Sequence, residues 1–203
     1  GNTLTPSINE CIERGGSEFL YANQKLKKKD AGHAVSTLKE KLPDLTHLEV
    51  RECKLKGIPE QVKIFAGTDL VSITVEHNKL SSLPTGLAEL GTQLQELKLS
   101  ANHFSNFPSI AILSKLTKLK VLGLAGNQIS DVPALASAAA SSDDGTVAGA
   151  FVDNLVELDL SHNSISKFPV SLCQFEGKSL ALLKLSNNHL TSVPGMFYQS
   201  LAG

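Results

Sequence analysis

Apolar residues recur along this chain in one fixed frame, L-x-x-L-x-L-x-x-N-x-L-x-x-L-P, whose positions are numbered here from its first leucine. From residue 45 onward the frame returns every 24 or 25 residues, with one longer step. A constant period of this size is typical of a solenoid, in which each repeat packs only against its neighbours. The six copies read LTHLEVRECKLKGIP (45–59), LVSITVEHNKLSSLP (70–84), LQELKLSANHFSNFP (94–108), LKVLGLAGNQISDVP (119–133), LVELDLSHNSISKFP (155–169) and LALLKLSNNHLTSVP (180–194).

The L-x-L core of each copy predicts one short strand, because residues two apart point to the same side of a strand. Successive strands must stack in parallel about 4.8 Å apart, so a return segment has to follow each of them. Residues 61–65, 86–90 and 171–175 are predicted to form such returns as short helices or extended turns. Because the returns are bulkier than the strands, the stack curves with its strands on the concave side. The predicted fold is an α/β solenoid with a parallel concave sheet.

Asparagine occupies the ninth position in five of the six copies. The chain turns inward there, and a buried amide can bond backbone groups that the turn leaves unpaired. We therefore interpret these asparagines as structural, and Cys53 replaces them in the first copy. They are Asn78, Asn102, Asn127, Asn163 and Asn188.

Both ends of the repeat array depart from the frame. Residues 19–26 match its strand and turn, which predicts a degenerate first repeat with a helical return over 32–42. Before it, residues 7–15 predict a capping helix with Ser7 as N-cap and with Ile8, Cys11 and Ile12 on its apolar face. The predicted organisation is an N-terminal cap and degenerate repeat over 1–44, followed by six full repeats over 45–203.

An insertion at about 134–154 interrupts this array. We interpret residues 134–140 as an extended return helix and 141–149 as a mobile loop. The insertion is either tolerated on the convex side or a binding loop. After the last frame, residues 195–201 allow hardly one helical turn, so either the natural chain continues or this edge meets another molecule.

The composition limits the cellular compartments and the classes of partner that this chain is expected to have. The chain has 19 basic and 20 acidic residues and a net charge of −1, which argues against a nucleic-acid partner. No apolar run approaches a membrane span or a secretory signal. The three cysteines, Cys11, Cys53 and Cys173, form no disulfide-rich cap, so we expect free thiols and a cytoplasmic protein.

The frame resembles that of the leucine-rich-repeat proteins, and its 24–25 residue form with a proline at the end is similar to the intracellular subfamily of these proteins. This resemblance implies a horseshoe that binds another protein on its concave strands. The N-terminal order of parts is also similar to that of small leucine-rich-repeat proteins that begin with Met-Gly-Asn. Their pattern makes Gly1 a candidate for N-myristoylation. The alternative is that Gly1 remains from an affinity tag.

A single myristoyl chain holds a membrane only marginally, so a second signal is needed. Lys25, Lys27, Lys28 and Lys29 form a dense basic cluster that would serve as that signal, or they are simply a solvated face. A lipid anchor would place the protein at the periphery of a membrane.

Side chains at positions three, five, seven and eight of the frame point outward from the strands and are predicted to line the concave face. In the fourth copy these positions hold only small residues, which either form an apolar floor for a partner's side chain or merely relieve crowding in a curved sheet. The candidate partner-binding residues are His47, Glu49, Arg51, Thr74, Glu76, His77, Glu96, Lys98, Val121, Gly123, Ala125, Glu157, Asp159, His162 and Lys184.

No arrangement typical of an enzyme emerges, so we predict no catalytic residue, metal or cofactor. His77 and His162 share a frame position but lie three strands apart, about 15 Å at the strand spacing, which is too far to hold one metal ion. The frame places no histidine beside Cys53 or Cys173 to act as a base. Carboxylates such as Glu157 and Asp159 line an open surface.

The sequence therefore predicts a non-catalytic, monomeric module that binds a protein partner through its concave face. The second hypothesis is a structural or regulatory subunit of a cytoskeletal or phosphatase-type assembly. Such a subunit would dock through the C-terminal edge, near Phe197 and Tyr198.

Overall fold

A computed structural model describes residues 4–26, 28–133, 150–169 and 179–193. In these ranges the chain forms seven strands that pair in parallel and in sequence order, one per repeat. The predicted parallel solenoid, with a degenerate first repeat before the six full ones, is confirmed. The strands are β1 (Glu18–Ala22), β2 (His47–Arg51), β3 (Ser72–Thr74), β4 (Glu96–Lys98), β5 (Val121–Gly123), β6 (Glu157–Asp159) and β7 (Leu182–Lys184).

The returns are short, as the spacing between frames requires. Two are 3-10 helices, Glu60–Phe65 and Thr85–Leu90, at the positions predicted for them. The predicted return at 171–175 and most of the insertion at 134–154 lie outside the described residues. The α-helices are α1 (Thr5–Glu13), α2 (Lys28–Lys41), α3 (Ile110–Leu113) and α4 (Ala150–Asn154), of which α4 is the last part of the insertion.

The capping helix differs from its prediction in two respects. It begins at Thr5, and Pro6 stands in its first turn, where the fixed backbone angle of proline suits the start of a helix. Ser7 is therefore inside α1 and is not its N-cap. Leu4, Ile8 and Cys11 form the buried stripe, whereas Ile12 is 51% exposed because it lies a further 100° round the helix.

The core is one continuous layer of inward-pointing frame residues. Leu97, Leu122 and Leu158, the central residues of three strands, are completely buried. Phe19 and Tyr21 of β1 and Phe65 of the first 3-10 helix fill the N-terminal end of this layer. Because each repeat buries its leucines against the next one, the array folds as a single stack.

The predicted structural role of the asparagines is confirmed by their hydrogen bonds. Asn102 Oδ1 accepts from the Leu80 N–H (3.0 Å), while Nδ2 donates to the carbonyls of Val75 (2.7 Å) and Leu99 (2.9 Å). The other asparagines repeat this pattern between neighbouring copies. The amides thus tie the inward turns together along the whole array.

Cys53 is accommodated by a change in the backbone. Its thiol donates to the Arg51 carbonyl (3.0 Å), but a thiol does not supply the strong carbonyl acceptor of an amide. The Leu26 N–H instead donates to the backbone carbonyl of Cys53 (3.0 Å). Lys54, the next residue, takes a left-handed backbone conformation with φ 54°. The first copy therefore replaces a side-chain acceptor with a main-chain one.

Candidate functional site: the concave face

The strand register places the outward side chains in straight rows across the concave face. Each row contains one residue from every strand, so neighbours in a row come from different repeats about 4.8 Å apart. The row at position three is Glu18, His47, Ser72, Glu96, Val121, Glu157 and Leu182. The row at position five is Leu20, Glu49, Thr74, Lys98, Gly123, Asp159 and Lys184.

Most of the residues predicted for this face are at least partly exposed on it, but two offer little surface. Thr74 is only 7% exposed, because β3 lies between strands that carry long side chains. Gly123 is buried because its own lack of a side chain leaves it at the bottom of the sheet. Thr74 is therefore a poor candidate for direct contact, whereas Gly123 matters for the space above it.

A row of left-handed residues borders the face where each strand ends. Position eight has φ between 52° and 66° in all seven repeats, and only one of these residues is glycine. Such a conformation costs a non-glycine residue about 1–2 kcal/mol. The asparagines at position nine, Asn78, Asn102, Asn127, Asn163 and Asn188, which we call the Asn ladder, fix the turns beside this row and so maintain the conformation. These residues are Asn23, Glu52, His77, Ala101, Gly126, His162 and Asn187.

Ion pairs organise the N-terminal half of the face. Arg51 lies between two carboxylates and pairs with Glu49 and with Glu76, the latter at 3.1 Å. Lys98 Nζ is 2.8 Å from Glu96 Oε2, and this hydrogen bond holds the pKa of the Glu96 carboxyl below its usual range. Both cations are thus bound within the face itself.

The C-terminal half repeats this arrangement. Lys184 Nζ lies 2.6 Å from Glu157 and 3.5 Å from Asp159. The hydrogen bond to Glu157 raises the pKa of Lys184, so its positive charge is retained. Asp159 also accepts from the backbone N–H (3.0 Å) and the hydroxyl (2.6 Å) of Ser161. The carboxylates of β6 are therefore held by Ser161, just after their own strand, and by Lys184 of β7.

The face carries an excess of negative charge. Positions three, five, seven and eight of the seven repeats hold seven carboxylates but only three lysine or arginine side chains. All three cations already pair with a carboxylate on the same face. An approaching molecule therefore meets a net negative surface.

Between the two charged halves lies a floor of small residues along β5 and the turn after it. We call the space above Val121, Gly123 and Ala125 the central slot. A Cβ atom at Gly123 would stand 3.5 Å from the Cα and Cγ of Lys98, which is ordinary van der Waals contact. Lys98 therefore forms one wall of the slot. Asp159, paired in register with Gly123, stands on the other side.

Two leucines are exposed on this face: Leu182 occupies an outward position that the frame predicts, whereas sequence reasoning missed Leu20. Leu20 of β1 is 51% exposed and lines an open groove of about 520 Å³ together with Glu18 and His47. Leu182 of β7 is 43% exposed at the opposite end. Extending the frame positions to the degenerate repeat would have found Leu20, and the strand register then places both leucines at the ends of the rows.

The described residues contain no group of three or more His, Cys, Asp or Glu side chains able to hold a metal ion. Cys11 and Cys53 are buried as free thiols, and burial raises the pKa of both, which disfavours the reactive thiolate. Cys173, Gly1 and the cluster at 27–29 cannot be placed, because their side chains lie outside the described part. Within that part, no helix is both long and apolar enough to cross a membrane.

Comparison with known proteins identifies the repeats. A family profile for leucine-rich repeats in two copies matches residues 92–137, and a single-repeat profile of the same kind matches residues 154–175. The fold is a leucine-rich-repeat solenoid. Two solved structures share it: a leucine-rich-repeat protein of Leptospira interrogans (TM-score 0.58, 21% identity, covering 88% of this chain and 50% of that one) and the Drosophila Toll–Spätzle complex (TM-score 0.57, 16% identity, 91% and 25%).

Curated relatives match this chain over a small part of much longer chains. The Ras guanine nucleotide exchange factor V of Dictyostelium discoideum is 33% identical over 186 residues, which is 85% of this chain but 9% of that protein. A leucine-rich repeat and calponin homology domain-containing protein of Drosophila melanogaster is 30% identical over 193 residues, 94% of this chain and 21% of that one. This chain therefore spans less than a quarter of the length of either relative.

Proposed function

We propose that this solenoid is a non-catalytic module that binds a protein partner on its concave face, with the central slot as the anchoring point. One observation carries the proposal: the uncharged floor of Val121, Gly123 and Ala125 lies between two halves of the face whose charged side chains pair with one another. Interface energy is concentrated where a bulky side chain enters a desolvated space ringed by polar groups. The slot offers that combination on a rigid sheet, so little order is lost on docking.

The charges support a partner that is basic around an apolar or aromatic anchor. Entry of an anchor into the slot would not strip water from an unpaired charge, because Lys98, Glu157 and Asp159 already have partners. The excess of carboxylates across the face would steer a basic segment towards it, and this steering weakens as salt rises.

Substitution at Gly123 gives a matched test. The full chain, immobilised as wild type, Gly123→Ala and Gly123→Arg, would be used to capture partners from an extract of its source organism, and binding of each captured protein would then be measured with purified components. A methyl group fits at Gly123, so Gly123→Ala should bind as wild type does. Gly123→Arg should fill the slot and reduce affinity by 100-fold or more at unchanged thermal stability, a loss of about 3 kcal/mol. Undiminished binding by folded Gly123→Arg would refute the proposal.

A second candidate is a subunit that docks into a larger assembly through the C-terminal edge. In its favour, Leu183 and Leu185 of the last repeat are only partly buried, whereas the equivalent Leu158 and Leu160 are completely buried. Phe197 and Tyr198 lie outside the described residues. Loss of partner binding in Phe197→Ala and Tyr198→Ala, with Gly123→Arg still binding, would favour this candidate over the first.

Cytoplasmic location and a myristoyl group on Gly1 remain predictions from the sequence. The acyl group would add a peripheral membrane anchor to the binding module. The intact mass of the protein isolated from its natural source tests this anchor, since myristoylation adds about 210 Da to the chain. An unmodified N-terminal glycine in that mass spectrum would remove the anchor from the proposal.

A further inference from the structure

Lysines follow one another along the edge of the solenoid where the strands end. The turn after each strand stacks on the turn of the next repeat through backbone hydrogen bonds. Leu26 N–H donates to the Cys53 carbonyl (3.0 Å), and Lys79 N–H donates to the Leu55 carbonyl (2.8 Å). The tenth frame position therefore forms a column whose successive residues are Lys25, Lys54 and Lys79, with steps of about 4.8 Å. We call these three residues, together with Lys56, the lysine edge.

The lysine edge is exposed and electrostatically unbalanced. All four side chains are exposed, and none of them forms an ion pair within the described part of the chain. This contrasts with the concave face, where every lysine and arginine pairs with a carboxylate. Positions ten to thirteen contain no acidic residue in the degenerate repeat or in the first three full ones. The nearest acids along the chain are Glu52, two residues before Lys54, and Glu76, three residues before Lys79; both belong to the concave face, where Glu76 pairs with Arg51.

In the tenth-position column, lysines are confined to the N-terminal half of this edge. Further along the column stand His103, Gln128, Ser164 and His189, which carry no permanent charge. The concave face immediately beside it has seven carboxylates against three cations. Two adjoining surfaces of one rigid stack thus carry opposite charge, and an extended anionic surface would attract one and repel the other.

We propose that the lysine edge docks the solenoid on a membrane surface that contains anionic phospholipid. The shape of the edge favours a flat partner over a peptide, because the lysines stand on the outer side of stacked turns. The open grooves of about 520 and 540 Å³ lie elsewhere, one beside Leu20 and the other beside Lys118 and Lys120. In this orientation the concave face is turned to the side and stays accessible to a protein partner. The inference requires neither the proposed concave-face function nor acylation of Gly1.

The expected affinity is modest and depends on salt. Each lysine close to an anionic bilayer strengthens binding about fivefold, and the attraction decays within a Debye length of about 10 Å at 0.1 M salt. Neutralising two of the lysines should therefore lower the partition coefficient by about 25-fold. A docked edge would also lose most of its binding when salt is raised well above the physiological concentration.

The test uses the full, unacylated chain and sedimentation with sucrose-loaded vesicles of phosphatidylcholine alone or with about one-third phosphatidylserine. Lys54→Gln/Lys79→Gln is compared with Lys118→Gln/Lys120→Gln. The second pair makes the same change in net charge at the opposite edge, where the strands begin. We expect binding of wild type and of the Lys118/Lys120 variant to the anionic vesicles only. The Lys54/Lys79 variant should lose about 25-fold.

Three results of the vesicle assay would overturn the inference. These are no binding of wild type to anionic vesicles at low salt, an equal loss in both double variants, or equal binding to neutral vesicles. Binding of soluble polyglutamate that depends on Lys54 and Lys79, without binding to vesicles, would also overturn it and assign the edge to an acidic protein. Circular dichroism of both variants establishes that each is folded. If the thermal midpoints of both variants equal that of wild type, a loss of binding is due to the neutralised lysines.

Discussion

Removal of one amide from the Asn ladder should destabilise the solenoid strongly in its centre. In Asn102→Ala, the buried N–H of Leu80 loses its acceptor and the Val75 carbonyl loses its donor. The Leu99 carbonyl keeps a bond from Asn127 Nδ2 (3.2 Å), so about two groups lose a partner. A buried polar group without a partner costs about 1–3 kcal/mol. The free energy of unfolding should therefore fall by about 3–4 kcal/mol.

The matched control is Asn188→Ala in the last repeat. Asn188 makes the same set of bonds, accepting from Ile165 N–H (3.0 Å) and donating to the carbonyls of Leu160 and Leu185. It is only half-buried, however, so water can replace the lost amide and the cost should be about 1 kcal/mol.

Urea denaturation followed by circular dichroism measures both costs, provided that the unfolding slope is the same in each variant. Because domains of this size have about 5–15 kcal/mol of stability, Asn102→Ala should remain folded but with a much lower midpoint. Equal costs for the two substitutions would refute the reasoning, since they would show that burial does not decide the contribution of the amide.

Two further predictions concern the returns and the charged face. Gly91→Ala should destabilise the protein by at least about 2 kcal/mol, because the new Cβ would overlap the backbone carbonyl of Lys115. The control Gly57→Ala meets no atom within 4 Å and should change the thermal midpoint little. Similar thermal midpoints for the two variants would contradict the prediction. The hydrogen bond from Lys98 lowers the pKa of Glu96 in the folded state. The ionised Glu96 carboxylate therefore stabilises the fold at any pH above the pKa that this group has in the unfolded chain, and this stabilisation is lost as the pH falls through its pKa in the folded protein. The stability difference between wild type and Glu96→Gln should therefore shrink between about pH 6 and pH 3, and a difference independent of pH in urea titrations would exclude this pairing.

The period alone was sufficient to predict the layers of this fold. A frame that repeats every 24 or 25 residues forces equivalent residues into equivalent environments, so the buried leucines and the Asn ladder follow directly from it. The start of α1 was mispredicted because a capping pattern at Ser7 competed with Pro6, and the proline prevailed. The exposure of Ile12 depends on where the first strand lies under the helix, which no local pattern specifies.

The sequence predicted which side chains lie on the concave face but not which of them form ion pairs with each other. The frame places Glu96, Lys98 and Asp159 on one face, yet which carboxylate each cation binds depends on side-chain rotamers across neighbouring strands. Burial of Thr74 likewise depends on the side chains of the adjacent strands. The lysine edge was seen in the sequence only as the run at 25–29, because Lys54 and Lys79 are distant along the chain. Aligning the tenth position of each copy would have revealed the column.

The internal pairing of the concave charges affects how a partner can gain affinity there. A basic segment that displaced Lys184 from Glu157 and Asp159 would exchange one ion pair for another and leave a lysine without its partners, so the net gain would be small. An anchor in the central slot breaks no such pair, because Val121, Gly123 and Ala125 carry no charge. Affinity should therefore come mainly from the slot, while the surplus carboxylates govern the rate of association. Raising the salt concentration should accordingly slow binding far more than it speeds dissociation.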